Sequence, residues 1–92
     1  MWGVYESREA QRQIDRLQPE LLKRYEKWKD IVMYSGPSGL RLIKGFHDEA
    51  LGGEWRGCRS SRLNLQYRVI YEVREIEVAV YVIKVTPHDY RR

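Results

Sequence analysis

Two strand-like runs meet at a short turn between residues 53 and 73, and this hairpin constrains the fold more than any other part of the chain. Four arginines lie between residues 53 and 68, together with a single acidic residue, Glu54. A third run, residues 76–85, follows at once and is apolar at nearly every position, which is typical of a central strand buried on both faces. The sequence therefore predicts three consecutive antiparallel strands.

The length of the turn decides which side chains of the hairpin share a face. With Asn64 and Leu65 as a two-residue turn, Ser61 lies opposite Arg68, and the side chains that project together are Trp55, Arg59, Ser61 and Arg68. The other, apolar side is then formed by Tyr67, Val69, Tyr71 and Val73. A slip of one residue would instead place Arg62 opposite Arg68, so we keep Arg62 near the edge of the predicted site.

The residues before the hairpin predict one more strand and two helices. Residues 1–5 are short, aromatic and β-branched, which is typical of a strand. Ser7 is a suitable N-cap for a first helix that ends near Leu17, and Pro19 suits the first position of a second helix that stops at Gly36. The second helix carries an apolar stripe that we assign to the core: Leu21, Tyr25, Trp28 and Val32.

The segment between the second helix and the hairpin, residues 38–53, is irregular. We expect one helical turn at residues 48–51, three exposed ionisable groups at residues 47–49, and a set of apolar side chains that tuck under the sheet: Leu40, Leu42, Ile43 and Phe46. Together the elements predict one α+β domain over residues 1–92, in the order β-α-α-β-β-β. Two helices should cover one face of an antiparallel sheet, and Arg59 and Arg68 should point from the uncovered face.

The positive charge of the chain is concentrated on the hairpin. The net charge is +4, and residues 53–68 carry four arginines against one glutamate. Arginine suits bidentate phosphate recognition, so this excess indicates a polyanionic partner. The one cysteine, Cys58, permits no internal disulfide and favours a reducing, cytoplasmic compartment. No membrane span, metal-ligand spacing or glycine-rich phosphate loop is present, so we expect no membrane, metal or cofactor.

These residues suit metal-independent cleavage of RNA. In that reaction the ribose 2′-hydroxyl attacks the adjacent phosphorus and the 5′-oxygen leaves, so a base, an acid and cations near the phosphate are needed. Arginine stays charged and can clamp the phosphate, whereas histidine can exchange a proton near neutral pH. The candidates are the hairpin arginines, the carboxylates of the preceding loop, and His88 and Tyr90 in the tail.

Four short motifs carry a family resemblance: LGGEWRG at residues 51–57 with Arg59, YRVIY at 67–71, VIKV at 82–85 and HDY at 88–90. With these motifs the chain resembles the RelE/ParE superfamily of bacterial toxins, and most of all its RelE, YoeB and YafQ branches. The resemblance implies a microbial-ribonuclease-like fold and cleavage of messenger RNA, usually in the ribosomal A site. It also implies neutralisation by a cognate antitoxin.

The resemblance also implies roles for single residues. Arg68 matches the strand arginine that binds the scissile phosphate, and Arg59 or Arg62 matches a basic residue of the preceding strand. His88 matches the C-terminal histidine of the YoeB and YafQ branches, and Tyr90 matches an aromatic residue near the C-terminus. Glu49 stands where YafQ-like and YoeB-like members have a histidine, so we expect it to act as the base, with His47 as its rival and His88 as a third alternative.

Neighbouring residues are expected to bind RNA: Trp55, Arg56, Lys84 and His47. The expected partners are the antitoxin, mRNA and the ribosome with its rRNA. Two alternatives stay open, a ParE-like inhibitor of DNA gyrase and a non-catalytic RNA-binding module. The arginines and the HDY tail favour the nuclease over the gyrase inhibitor, and the binding module would need more stacking aromatics than Trp55 and Tyr90.

Overall fold

A computed structural model describes residues 1–87 of the chain. Its helices and strands are β1 (Gly3–Glu6), α1 (Arg8–Asp15), α2 (Pro19–Ser35), β2 (Glu49–Ala50), β3 (Cys58–Arg62), β4 (Arg68–Arg74) and β5 (Ala79–Thr86). Three short 3₁₀ helices lie between α2 and β3: Pro37–Leu42, Lys44–Phe46 and Gly53–Trp55. The predicted α+β fold is confirmed. The helical turn expected at residues 48–51 is wrong, because that segment pairs with β3 as the short strand β2.

The five strands form one sheet in the order β1-β5-β4-β3-β2. β1 runs parallel to β5, with Gly3 beside Ala79, and the other neighbours are antiparallel. The sheet is therefore mixed and not purely antiparallel as expected. The two helices and the hairpin separate β1 from β5 in the chain, and a parallel pair needs a long crossover connection of this kind.

Local signals set the start of α1 and both ends of α2 as predicted, whereas α1 ends at Asp15, two residues before the expected Leu17. Ser7 caps α1, since its hydroxyl oxygen accepts a hydrogen bond of 2.9 Å from the Ala10 amide. The same hydroxyl donates to the Ile83 carbonyl at 2.8 Å and so joins α1 to β5. α2 begins at Pro19 and ends before Gly36, whose φ of 78° favours a residue without a side chain.

The core lies between α2 and the sheet. Tyr25, Trp28 and Val32 of α2 are buried against side chains of the two central strands: Val69, Tyr71, Val80, Val82 and Val85. The Trp28 ring meets Tyr71 edge to face, with centroids 5.3 Å apart. Leu40 and Phe46 are also buried, as expected. Leu42 is 86% exposed, so its assignment to the core is wrong.

The register of the β3–β4 hairpin differs by one residue from the favoured prediction. Arg62 lies opposite Arg68, and Arg59 lies opposite Tyr71. The expected two-residue turn is wrong because Asn64 organises a longer connection, in which its side-chain oxygen accepts hydrogen bonds from the amides of Gln66 at 2.8 Å and Tyr67 at 2.7 Å. The Leu63 amide then donates to the Tyr67 carbonyl at 2.8 Å and closes the loop.

The register decides which arginine faces the helices. Cross-strand partners share a face, so Arg59 projects with Tyr71 toward α2, while Arg62 projects with Arg68 from the other face. The prediction that Arg59 and Arg68 share a face is therefore wrong. No helix in the described part of the chain is long and apolar enough to cross a membrane.

Candidate active site

Basic and acidic side chains gather on the face of the sheet opposite α2. The strand registers give two rows that run across the sheet. The first row is Arg62, Arg68 and Thr86, and the second is Glu49, Ser60, Ile70 and Lys84. We call these two rows the cationic face. The structure thus brings together four of the predicted site residues, Arg62, Arg68, Glu49 and Lys84.

The two arginines of the first row stand directly opposite each other on neighbouring strands. Arg68 is only 9% exposed, and Arg62 is half-buried. Within residues 1–87 the buried Nε of Arg62 meets no hydrogen-bond acceptor. Like charges at opposed positions destabilise a strand pair, and a buried charged donor without an acceptor is costly. A bound anion such as a phosphate would relieve both penalties.

Trp55 reaches the same face from the 3₁₀ helix Gly53–Trp55. Its ring centroid lies 5.6 Å from Nζ of Lys84, which is within the range of a cation–π contact. Lys84 also lies 3.8 Å from a carboxylate oxygen of Glu9 in α1. Arg56 follows Trp55 and is exposed. An aromatic ring beside a cation offers a surface on which a base can stack.

The two candidate bases, Glu49 and His47, occupy different positions in the structure. Glu49 lies opposite Ser60, which places it on the cationic face at the edge of the sheet. His47 is exposed and holds a left-handed backbone conformation, with φ of 42° and ψ of 49°. Histidine is one of the non-glycine residues that tolerate this region. Glu49 therefore shares a face of the sheet with the arginine pair.

Asp48 holds a buried position that the sequence pattern did not predict. The pattern predicted it to be exposed, yet its carboxylate is fully buried on the helix side of the sheet. It accepts hydrogen bonds from Arg59 Nε at 2.8 Å, from Ser61 Oγ at 2.7 Å and from the Tyr71 hydroxyl. Trp28 Nε1 donates in turn to Ser61 Oγ at 2.9 Å. The alternation of Asp48 and Glu49 along an extended segment was the one available signal.

The protonation of this network follows from burial and charge. Burial raises the pKa of Tyr71 well above its ordinary range, and the hydrogen bond to Asp48 raises it further. Tyr71 therefore stays a protonated donor to the carboxylate. Arg59 is engaged by Asp48, and its side chain is 22% exposed. Its place is in this network and not in the cationic face.

Two predicted residues, His88 and Tyr90, lie outside the described residues. Lys84 and Thr86 do share one side of β5, as expected, because they pair with Ile70 and Arg68. Within residues 1–87 no group of three or more histidine, cysteine, aspartate or glutamate side chains is arranged to hold a metal ion.

The fold belongs to the class seen in RelE, YoeB and YafQ toxins. The chain superimposes on a chain of the archaeal RelE–RelB complex from Pyrococcus horikoshii with a TM-score of 0.76 and 23% identity, covering 97% of each chain. The YoeB–YefM complex from Staphylococcus aureus gives a TM-score of 0.74 and 16% identity, covering 96% of this chain and 98% of that one. YafQ from E. coli gives 0.75 and 11%, covering 94% and 92%.

The resemblance predicted from the motifs is thus confirmed at the level of the fold. No family model matches the sequence, and no curated protein matches it either. With identities between 11% and 23%, the likeness shows the fold alone. The activity has to be argued from the cationic face itself.

Proposed function

We propose that this protein is the toxin of a type II toxin–antitoxin pair and that it is a metal-independent endoribonuclease. Its substrate would be mRNA in the ribosomal A site, so that cleavage inhibits translation in the cytoplasm. The observation that carries the proposal is the opposed pair Arg62 and Arg68, with Glu49 on the same face of a RelE-like fold.

Each group of the cationic face has a part in this reaction. Glu49 would take the proton of the 2′-hydroxyl as that oxygen attacks the phosphorus. Arg62 and Arg68 would hold the phosphate and stabilise the charge that develops on its oxygens. Trp55 would stack on a base, and Lys84 would contact a neighbouring phosphate. His88, which matches the C-terminal histidine of the YoeB and YafQ branches, would protonate the leaving 5′-oxygen.

The test is cleavage of mRNA by the purified protein, on isolated ribosomes and on free RNA, with the new ends mapped. We expect cleavage on ribosomes. The Arg68→Ala variant should lose about 100- to 1,000-fold in rate, the cost of one donor that stabilises transition-state charge. Arg74→Ala is the matched control on the same strand, since Arg74 is 47% exposed and pairs with Glu72 and Glu77.

The outcomes separate the competing functions. Equal losses from Arg68→Ala and Arg74→Ala would show general electrostatic attraction and no phosphate clamp. RNA binding without cleavage by the wild-type protein would indicate the RNA-binding module. A change in gyrase-dependent DNA supercoiling, with RNA left intact, would indicate a ParE-like inhibitor. Either of the last two results would overturn the nuclease.

A cognate antitoxin is part of the proposal. The RelE–RelB and YoeB–YefM structures are complexes of the kind proposed here. An antitoxin segment with acidic and apolar residues would bury apolar surface and complement the cationic face. We expect the antitoxin complex to survive washing at high salt, whereas ribosome binding weakens steeply because it releases counterions from phosphates. Recovery of the protein alone, harmless at high expression, would contradict the toxin assignment.

A further inference from the structure

Asp48 and Glu49 are adjacent in the chain but serve opposite faces of the sheet. Asp48 extends into the buried network with Arg59 and Tyr71, and Glu49 stands on the cationic face beside Ser60. We propose that Asp48 is a positioning residue, whose buried carboxylate anchors β2 and thereby holds Glu49 in place for the reaction. This inference rests on the proposed nuclease function.

The anchor is needed because β2 is too short for its pairing with β3 to fix its position. It has two residues, and its pairing with β3 consists of Glu49 beside Ser60, Ala50 beside Arg59, and one further hydrogen bond of 3.0 Å from the Leu51 amide to the Cys58 carbonyl. Strands in proteins usually have about five or six residues, and an edge strand is paired on one side only. The ladder alone would hold the backbone of β2 only weakly at the edge of the sheet.

The network that holds Asp48 draws on three parts of the fold. Arg59 and Ser61 come from β3, Tyr71 comes from β4, and Trp28 of α2 donates to Ser61. A buried carboxylate that accepts several hydrogen bonds, one from a guanidinium, recovers much of its desolvation cost. Such an ion is costly to move, so its position is well defined.

The backbone around His47 fits the same role. Phe46 is fully buried on one side of His47 and the Asp48 carboxylate on the other, while His47 itself is exposed in the left-handed region. Two buried side chains therefore fix the segment just before β2 and maintain an uncommon backbone conformation between them. The direction in which the chain enters β2, and with it the placement of Glu49, follows from these contacts.

The experiment is a double-mutant cycle on RNA cleavage with Asp48→Asn and Glu49→Gln. We expect Asp48→Asn to lower kcat by about 10- to 100-fold, the scale of a misplacement near 1 Å, with KM nearly unchanged because the arginine pair remains. In the Glu49→Gln background, Asp48→Asn should have less than about a twofold further effect, since it acts through Glu49. Additive losses in the cycle would overturn the proposal.

Two further variants distinguish a specific effect of Asp48 from a general loss of folding. Tyr71→Phe removes one donor from Asp48 and keeps the ring, so it should show the same split of kcat from KM in a milder form. Asp30→Asn is the matched control, because Asp30 is an exposed carboxylate on α2. We expect it to leave both constants unchanged.

Amide hydrogen exchange tests the anchor independently of activity. Asp48→Asn should speed exchange at Leu51, whose amide bonds to Cys58, by about tenfold or more, while amides between β4 and β5 keep their protection. Unchanged exchange at Leu51 would refute the anchor even in an active enzyme. The two proposals can also fail separately. If the wild-type protein cuts no RNA while Asp48→Asn still speeds exchange at Leu51, the nuclease is refuted and the anchor stands.

Discussion

Replacing Arg62 by methionine should make the protein more stable and less active. Arg62 faces the like charge of Arg68 across the β3–β4 pair, and its buried Nε meets no hydrogen-bond acceptor within residues 1–87. Methionine keeps most of the apolar stem and adapts to irregular gaps, so little packing is lost. The change removes the like-charge repulsion and the buried donor without an acceptor. It also removes one of the two arginines of the proposed phosphate clamp.

The expected gain in the free energy of unfolding can be set from these two terms. An opposed like-charge pair costs a few tenths to about 1 kcal/mol. A buried donor without an acceptor costs about 1–3 kcal/mol, and water at this half-buried site reduces that cost. We therefore expect Arg62→Met to gain about 1–2 kcal/mol, which for a domain of this size raises Tm by roughly 4–16 °C.

Urea and thermal unfolding, followed by circular dichroism, measure this gain. Arg74→Met is the matched control, and it should leave Tm unchanged or slightly lower because it breaks exposed pairs with Glu72 and Glu77. Added phosphate should raise Tm of the wild-type protein more than that of Arg62→Met, since the ligand binds the arginine pair. A lower Tm for Arg62→Met, or equal phosphate effects, would refute this account of the cationic face.

Three further changes test other parts of the molecule. Val78→Gly should raise stability by about 0.5–1 kcal/mol in urea unfolding, because Val78 is a 44% exposed β-branched residue at φ of 53°, and a lower stability would contradict the strain. Burial and the Glu6 hydrogen bond raise the pKa of Tyr25, so its stabilising effect is complete below pH 10 and is lost as the pH rises beyond that value, where the unfolded chain ionises. Tyr25→Phe should flatten this alkaline loss in unfolding measured from pH 9 to 11, and an unchanged slope would count against the assignment. His88→Ala should abolish growth arrest at equal expression, and a fully toxic variant would exclude it as the acid.

Much of the helical layer could be predicted because its signals act over a few residues. Ser7 caps α1 through an amide three residues away, Pro19 starts α2, and Gly36 ends it. The period of apolar residues likewise identified Tyr25 and Trp28 as core, and both are buried. Four of the five strands were found in the right order for the same reason, since composition and spacing report on each segment separately, but β2 was missed.

The site depended on contacts between distant residues. A single side chain, Asn64, accepts hydrogen bonds from two backbone amides and lengthens the hairpin connection. The register therefore shifts by one residue. Because side chains alternate along a strand, that shift sends Arg59 to the helices and Arg62 to the cationic face. Asp48 appeared as a solvated charge in the sequence, and its partner Tyr71 lies 23 residues away. The composition and period of each segment predicted its chemistry. The pairing of segments in space determined which charges lie on the cationic face and which are buried in the fold.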